Sequence, residues 1–471
     1  MNKPHVLLIT CDEMRLDTIG CYGGKAVKTP HIDSLAERGT RFDNAYTVSP
    51  VCLPARCSIL TGLYPHHSGA YSNFRKCALD GGIPNLFNQL HLGGYKNGMI
   101  GKCHFAPVPY SQTRADVTLP YDEFKDYYVS LGIDELILQD DKQVSVWFYD
   151  DYSKALDKEG YLKPYRDTLW DKSNRKVFPF PAPDAWHPDA WVGNQAADYI
   201  EKLDADNPSF TWVSFSGPHY PFDTPASYQS RVDESALPGK DIMPGELDSE
   251  SRIHHESYYG KGRIDGCHAA EGRACVNYTD EYWLELQKQY YANVALIDDK
   301  VGDILSKARE RFGDNLLVVF TVDHGEMLGH HGLWGKHDCA YDDVWHIPFI
   351  AAGPGFGNEP SAAKVNSNDI MPTFLNAAGI PLPPVDGRDL KAQMKTGGYE
   401  YLFCESEGFI AITDGRFKYI HVQDGRVVDE LLDTQTDPGE RVNQLSNKAY
   451  ASDLARLTMK MVEHMMDKVL P

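Results

Sequence analysis

The stretch SPVCLPARCSILTG, residues 49–62, brings two cysteines, a proline and an arginine together at the start of a predicted helix. Pro54 suits the first turn of a helix, because the N–H that proline lacks would have no partner there. The pattern therefore predicts a helix that begins near Pro54 and has Cys52 at its positive end, where anions bind. Cys52 is open to four interpretations: a buried thiol, which is the commonest fate of a cysteine, a metal ligand, a nucleophile or a residue modified after synthesis.

The composition is that of a globular enzyme with ample material for a core: 471 residues, of which 42% are hydrophobic, 24% charged and 11% aromatic. A chain of this length predicts one large α/β domain and a smaller one. The net charge of −21 argues against a nucleic acid or a membrane surface as partner, because a polyanion would be repelled. An anionic substrate would need its own local cluster of lysine, arginine and histidine.

Targeting signals are not apparent in the sequence. There is no run of about 18 apolar residues, so a transmembrane helix is not expected. The apolar run near the start, VLLIT at residues 6–10, is too short for a secretory signal and predicts a core strand instead. Ten cysteines are scattered without a disulfide-like framework, which predicts reduced thiols in a cytoplasmic protein.

Apolar segments that end in polar residues recur along the chain and predict buried strands, for example HVLLIT at 5–10 and FTWVSFS at 210–216. The longest helical pattern covers residues 281–313, with an apolar face that includes Leu284 and Tyr291. From about residue 402, short alternating strands are separated by Asp-Gly turns, and an amphipathic helix follows at about 450–468. The predicted fold class is α/β: a large, mostly parallel central sheet flanked by helices, plus a small C-terminal antiparallel sheet with a helix. The predicted domains are 1–375 and 376–471.

Polar or charged side chains follow the predicted strands at the point where each strand ends. The carboxyl ends of parallel strands line one edge of a sheet, so these groups are expected to converge. Taken one at a time, each has a plainer interpretation: a solvated turn for the two acids, a packed loop residue for His219 and a surface lysine for Lys102. The residues are Asp12, Glu13, Lys102, His104, His219, Asp323 and His324.

The stretch DHGEMLGHHGLWGKH, residues 323–337, concentrates acids and histidines. It could form a histidine-rich zinc loop, but it lacks the HExxH spacing of a zinc helix. Asp323 and Glu326 together with Asp12 and Glu13 instead favour an oxygen-rich site for a hard divalent cation.

These residues carry a resemblance to a known family. Cys52-x-Pro54-x-Arg56, followed by Leu60-Thr61-Gly62, resembles the sulfatase signature. Four further elements resemble that family in the right order, which makes a chance match very improbable: VLLITCDEMRLDTIGCYG at 6–23, GYKNGMIGKCHF at 94–105, GPHYPF at 217–222 and DHGEMLGHHGLWGK at 323–336. The segments DGRFKYI at 414–420 and ELLDTQTDPGE at 430–440 resemble its C-terminal subdomain.

The resemblance implies that Cys52 is a precursor and not a thiol nucleophile. In sulfatases the motif cysteine is oxidised to formylglycine by a maturation enzyme, and the aldehyde hydrates to a gem-diol. One divalent cation is implied, held by Asp12, Asp323 and His324 with Glu13. The cation would bind a diol oxygen and the sulfate, acidify the diol and neutralise charge.

The resemblance also implies roles for six catalytic residues: Cys52, Arg56, Lys102, His104, His219 and Lys336. Arg56 would hold the diol, while Lys102, His219 and Lys336 would grip the sulfate. His219 or Lys336 would protonate the leaving alcohol. His104 would deprotonate the second hydroxyl of the covalent hemiacetal sulfate, which expels sulfate and restores the aldehyde.

The sequence departs from the family pattern in its metal loops. Many members carry Asp-Asp where this chain has Asp12-Glu13, and Asp-Asn where it has Asp323-His324. Choline sulfatases and phosphonate monoester hydrolases also show the Asp-His pair, usually with Asp-Gln in the first loop. The expected ion is Ca²⁺, with Mg²⁺ or Mn²⁺ as alternatives, because an imidazole nitrogen shifts the preference away from Ca²⁺. Ala55 stands where serine is frequent.

Sulfate ester hydrolysis is the function that this resemblance implies, with a small-molecule or carbohydrate sulfate ester as substrate. The alternative is a phosphonate monoester or phosphodiester hydrolase that uses the same site. A related phosphodiesterase would carry serine or threonine in place of Cys52. An inactive, anion-binding homologue is disfavoured by the intact set of Lys102, His104, His219 and Lys336. The long polar segments at 110–190 and 223–280 are expected to shape the substrate pocket.

Overall fold

A large mixed sheet forms the centre of the protein, whose computed structural model describes residues 3–73, 77–106, 121–142, 145–171, 177–259, 275–336 and 339–467. The order of its eight strands is β4-β3-β5-β1-β6-β7-β2-β8, and all run parallel except β7. The prediction of a large, mostly parallel sheet is confirmed. The strands are β1 (His5–Asp12), β2 (Thr40–Tyr46), β3 (Lys96–Gly101), β4 (Glu135–Leu138), β5 (Ser209–Pro218), β6 (Leu316–Val322), β7 (Phe349–Ala352) and β8 (Ser361–Asn366).

The three central strands are buried at every position, which explains their nearly unbroken apolar sequences. Leu8 of β1 lies opposite Trp212 of β5 on one side and Val319 of β6 on the other. Asp12 at the end of β1 pairs with Pro218 at the end of β5. This register brings the residues that follow β1, β5 and β6 to the same edge of the sheet.

Helices flank the large sheet, as predicted. The 33-residue helix α11 packs on α8. The predicted apolar face of α11 was wrong at Leu284, which is exposed. The buried face passes instead through residues 283, 287, 290 and 294, so Trp283 is buried. The helices are α1 (Pro30–Arg38), α2 (Cys52–Thr61), α3 (Pro65–Ser68), α4 (Leu86–Leu92), α5 (Asp122–Ser130), α6 (Asp151–Lys158), α7 (Leu162–Trp170), α8 (Pro188–Lys202), α9 (Ala226–Gln229), α10 (His255–Tyr259), α11 (Asp280–Phe312), α12 (Asp342–Trp345), α13 (Ile370–Ala378), α14 (Leu390–Thr396) and α15 (Ala451–Met466).

A second, four-stranded antiparallel sheet follows, as predicted, with the order β12-β11-β10-β9. Helix α15 packs on β10 and β11, and a separate small core fills the interface: Ile412, Phe417, Tyr419, Leu431, Leu457 and Met461. The strands are β9 (Leu402–Ser406), β10 (Phe409–Thr413), β11 (Phe417–Val422) and β12 (Glu430–Asp433). The division of the chain after residue 375 stays a prediction.

The structure adds two findings to the expectations about membranes and cysteines. None of the described helices is both long and apolar enough to cross a membrane. No disulfide joins any two of the nine cysteines within the described ranges. Cys267 lies outside those ranges.

Candidate active site

Cys52 is the first residue of α2, so the helix begins two residues earlier than the position of Pro54 suggested. Every residue of α2 is buried, and the Leu53 N–H donates to Asn73 Oδ1 at 2.9 Å. Arg56 follows Cys52 by one turn and therefore lies on the same side of the helix. The Cys52 side chain thus sits at the positive end of a buried helix, beside a guanidinium group.

A group of potential metal ligands surrounds the Cys52 thiol. Ligand atoms of Asp12, Cys52, Asp323 and His324 all lie within 4.8 Å of one another. His324 Nε2 is 3.2 Å from Cys52 Sγ and 3.5 Å from Asp12 Oδ1. His324 Nδ1 lies 2.9 Å from the Gly325 carbonyl, so the proton belongs on Nδ1 and the Nε2 lone pair faces the two carboxylates. Two carboxylates and one imidazole lone pair fit a divalent cation.

Arg56 connects the elements around this group. Its Nε donates to Asp323 Oδ2 at 2.8 Å, and both side chains are wholly buried. Its Nη1 donates to Ser214 Oγ at 2.7 Å and to the Lys102 carbonyl at 3.0 Å. Its Nη2 has no hydrogen-bond partner among the described residues. One buried donor therefore remains available near Cys52.

Lys102 directly follows β3 and lies between two carboxylates, one at the end of β1 and one beyond β4. Its Nζ contacts Asp12 Oδ2 and donates to Asp141 Oδ2 at 2.9 Å. Burial raises the pKa of Asp12, but the nearby cations, Lys102 above all, outweigh burial and hold that pKa well below its usual range. Burial lowers the pKa of Lys102, and the two carboxylates reverse this and raise it. Both groups are therefore charged at neutral pH.

Glu13 lies next to Asp12 but faces a different set of groups. Its Oε2 is 3.5 Å from His219 Nε2, and its Oε1 is 3.5 Å from Lys336 Nζ. The backbone at Glu13 is left-handed, with φ of 67°, and the Tyr290 hydroxyl donates to its carbonyl at 2.5 Å. Glu13 is not part of the ligand group around Cys52. The structure brings it together with the expected sulfate-binding residues instead.

His219 is a buried, neutral imidazole in this arrangement. Its Nδ1 is 2.7 Å from the Tyr220 carbonyl, which places the proton on Nδ1 and the lone pair on Nε2. Burial is the main reason that its pKa falls to about 4, and the neighbouring Lys336 lowers it further. Lys336 itself is nearly buried, and the acids and Cys52 around it raise its pKa despite burial.

His104 is also buried, and it is held by its backbone. Its N–H donates to Asp140 Oδ1 at 2.9 Å, and its φ of 51° is left-handed. Its side-chain Nδ1 has no hydrogen-bond partner among the described residues. The backbone at His104 is thus held by Asp140, and the ring keeps one nitrogen available.

The charges around Cys52 change the acidity of its thiol. Burial and Asp12 raise the pKa of Cys52, but the charges of Lys336 and Lys102 outweigh them, and the pKa lies well below its ordinary value. The surroundings therefore stabilise negative charge at the Cys52 position. A site of this kind suits a nucleophile that reacts as an anion or a ligand that carries negative charge.

Two acids near the site were missed from the sequence. Asp140 and Asp141 follow β4 as other polar groups follow their strands, but β4 lies within the long polar segment 110–190, in which no strand is predicted. Asp140 accepts hydrogen bonds from the N–H groups of Cys103 and His104, each at 2.9 Å. If ELIL at 135–138 had been recognised as a strand, the polar residues after it would have included both acids.

The histidine-rich segment forms a loop that hydrogen bonds to Glu326 hold closed. Glu326 accepts hydrogen bonds from the N–H groups of Leu328, at 3.0 Å, and Gly335, which closes the loop between Asp323 and Lys336. The sequence predicted Glu326 as part of an oxygen-rich metal site, but its carboxylate is not in the ligand group around Cys52. His337 lies outside the described residues.

The chain is similar to known proteins over most of its length. The family model described as Sulfatase matches residues 4–380. An arylsulfatase from Clostridium perfringens (strain 13 / Type A) is 27% identical over 473 residues, which cover 95% of this chain and 91% of that protein. A choline-sulfatase from Rhizobium meliloti (strain 1021) is 25% identical over 476 residues, 97% of this chain and 85% of that protein. The structure of the phosphonate monoester hydrolase of Agrobacterium radiobacter is similar in fold, with a TM-score of 0.78 at 23% identity, and covers 99% of this chain and 97% of that one.

Proposed function

The chain belongs to the sulfatase family, as its motifs predicted, and we propose that it hydrolyses a sulfate ester to an alcohol and inorganic sulfate with a formylglycine made from Cys52. The observation that carries this proposal is the position of Cys52. Its side chain lies at the positive end of α2 and inside a group of potential metal ligands, with His324 Nε2 at 3.2 Å. Formylglycine supplies a hydrated aldehyde whose hydroxyl attacks the ester.

One divalent cation completes the proposed site, with Asp12, Asp323 and His324 as its ligands. We propose Ca²⁺, with Mg²⁺ or Mn²⁺ as alternatives, because the nitrogen of His324 shifts the preference of an otherwise oxygen-rich site. The cation supplies Lewis acidity and neutralises negative charge. Glu13 was also predicted as a ligand, and its contacts with His219 and Lys336 make it the least supported of the four.

The cationic side chains divide the remaining work. Arg56 carries a buried Nη2 without a described partner and would hold the nucleophile at position 52. Lys102 and Lys336 would bind sulfate oxygens and stabilise charge as it develops. His104 keeps an Nδ1 that can accept a proton when the enzyme is regenerated. Protonation of the leaving alcohol belongs to His219 or Lys336.

The proposed substrate and partners follow from the proposed reaction. We propose a small-molecule or carbohydrate sulfate ester as substrate and a formylglycine-generating enzyme as the partner that modifies Cys52. Nucleic acid and membranes are not proposed as partners, since the net charge of −21 opposes both. The cytoplasmic location stays a prediction from the sequence.

A second candidate is phosphonate monoester hydrolysis at the same site. The observation in its favour is the close likeness in fold to a phosphonate monoester hydrolase, together with the Asp323-His324 pair. The same cations would bind a phosphonate anion, so only measured specificity separates the two functions.

The test is to produce the protein with and without a maturation enzyme and to examine the peptide that contains residue 52. We expect a carbonyl-reactive species at position 52, and hydrolysis of an aryl sulfate in proportion to its amount. Cys52→Ala should abolish turnover, whereas the control Cys57→Ala, a buried cysteine of the same helix, should leave turnover largely unchanged. Full activity in protein that contains only unmodified Cys52 would refute the proposal.

A further inference from the structure

A second group of metal-binding side chains lies where α3, β9 and α15 meet. It consists of His66, Glu405 and His464, which come from distant parts of the chain. One ring nitrogen of each histidine and one carboxylate oxygen lie within 4.8 Å of one another. His66 Nδ1 is 2.9 Å from Glu405 Oε1, and His464 Nε2 contacts the same oxygen. None of the three belongs to the group around Cys52.

Charge balance at Glu405 sets this group apart. Its side chain is only 5% exposed, and within the described ranges its ion pairs are with His66 and His464 and include no lysine or arginine. Burial raises the pKa of Glu405, but hydrogen bonds from His464 and His66 outweigh burial and lower it to about 2. A neutral imidazole can donate a hydrogen bond to the ionised carboxylate, but it brings no compensating charge.

Another histidine–carboxylate group, around His330 and His331, is balanced differently. Asp343, beside His330, is 2.6 Å from an Arg15 Nη atom. Glu246, beside His331, is 2.8 Å from an Arg441 Nη atom. Arginine already neutralises both acids, so a cation has less to gain there than at Glu405.

We propose that His66, Glu405 and His464 bind one Zn²⁺ ion. Two imidazoles and one carboxylate are zinc ligands, and three protein ligands leave a fourth position for water. The orientation of the His464 ring is fixed by stacking on Phe403, with ring centroids 3.8 Å apart and planes inclined by 3°. Such positioning of a ligand by its surroundings favours metal binding.

A cavity of about 640 Å³ reaches the group at His464. Its lining contains four acids and two basic residues: Asp386, Glu400, Glu463, Asp467, Arg388 and Lys460. The excess of acids favours a cation over an anion. The bound ion would connect the last turn of α15 to β9 and to α3, and would stabilise the folded chain by binding it preferentially.

The experiment measures zinc bound to the purified full-length protein in the presence of excess Ca²⁺, after treatment with a chelator and dialysis against Zn²⁺. Glu405→Gln and His464→Gln should each bind one zinc ion fewer per chain than the wild type, with affinity at this group lower by more than about 100-fold, since changes outside the ligands alone cost 10–100-fold. Zn²⁺ should raise the thermal midpoint of the wild type more than that of either variant.

The matched control is His421→Gln. His421 lies on β11 of the same small sheet and contacts the Asp429 carboxylate at 3.0 Å, but it is more exposed and outside the group. It should bind zinc like the wild type. Equal zinc content in the wild type and both ligand variants would overturn the proposal and leave a hydrogen-bonded triad. If a ligand variant fails to fold, X-ray absorption at the zinc edge of the wild type decides, and fewer than two imidazoles around zinc would overturn it.

Discussion

Asp12 and Glu13 are adjacent carboxylates, yet the backbone sends them to different partners. Asp12 ends β1 and lies among Lys102, His324 and the Cys52 thiol, whereas the left-handed backbone at Glu13 turns the next side chain towards His219 and Lys336. Neighbouring acids in a sequence therefore need not share a metal. The left-handed backbone at Glu13 separates the two side chains, and residue types alone do not reveal it.

The metal content of two variants tests this distinction. Asp323→Asn removes a carboxylate from the ligand group and should greatly reduce both bound divalent metal and turnover. Glu13→Gln keeps the ligand group intact and should retain most of the metal, while its turnover changes through His219 and Lys336. Metal can be measured by mass spectrometry after gel filtration. Equal metal loss in the two variants would make Glu13 a ligand, and retained metal in Asp323→Asn would remove Asp323 from the site.

Leaving-group dependence tests which side chain donates the proton. The pKa of His219 is lowered to about 4, mainly by burial and then by Lys336, so at pH 7 His219 is neutral with its lone pair on Nε2. Lys336 is protonated under the same conditions. Lys336→Ala should therefore reduce kcat/KM for an alkyl sulfate, by up to the 10²–10⁴-fold typical of acid–base catalysis, and reduce it less for an aryl sulfate whose leaving group needs no proton.

His219→Ala is the matched comparison for that experiment. It should lower kcat/KM for the alkyl and the aryl sulfate by similar factors, because a neutral imidazole positions the substrate without donating a proton. A selective loss on the alkyl sulfate in His219→Ala, with an even loss in Lys336→Ala, would assign the proton to His219.

Single residues were predictable where the sequence itself marks the end of a strand. An apolar run followed by a charged residue located Asp12, Lys102 and Asp323, which the structure brings together, although their roles stay predictions. Asp141 escaped because the four-residue strand before it lies in a region rich in tyrosine and aspartate, where period-2 alternation is hard to see. Side-chain direction, as at Glu13, depends on contacts made across the fold.

Elements were predicted well where their sequence period was long and regular. Helix α11 was predicted from its periodicity, and the central strands from their continuous apolar runs. The error at Leu284 arose because a face can be assigned one position off when Trp283 and Leu284 are both apolar. Helix α2 began two residues before Pro54 because proline is accepted throughout the first turn. Four-residue helices such as α3 have no period to detect, and their existence depends on tertiary packing.

Helix α15 offers a test at this scale, because its two faces are clearly different. Leu457 is fully buried in the small core, whereas Met459 is 60% exposed. Leu457→Ala should lower the free energy of unfolding by about 2–5 kcal/mol, because it removes buried methyl groups and leaves a cavity. Met459→Ala should change it by less than about 0.5 kcal/mol. Thermal and denaturant unfolding followed by circular dichroism would measure both, and equal losses would contradict the packing of α15 on β10 and β11.

The whole molecule combines a net charge of −21 with a cationic interior at one edge of the large sheet. Arg56 and Lys102 are buried there in ion pairs with Asp323 and Asp12, and Lys336 lies 3.5 Å from a Glu13 carboxylate oxygen. An arriving anion would have to compete with these acids. A divalent cation near Asp12 and Asp323 would release part of the positive charge for that purpose.

Substrate preference is the property of the whole site that best separates the two candidate functions. A sulfate monoester carries one negative charge and a phosphate monoester about two at neutral pH, and the same cations can bind either, so charge alone does not decide. The order and completeness of the sulfatase motifs, from residue 6 to residue 336, favour sulfate. We expect kcat/KM to be higher for sulfate monoesters than for phosphate or phosphonate monoesters with the same leaving group, measured on one formylglycine-containing preparation so that maturation cancels. A phosphonate ester preferred over every sulfate tested would establish phosphonate hydrolysis as the activity, and it would leave the geometry around Cys52 to be explained by that chemistry instead.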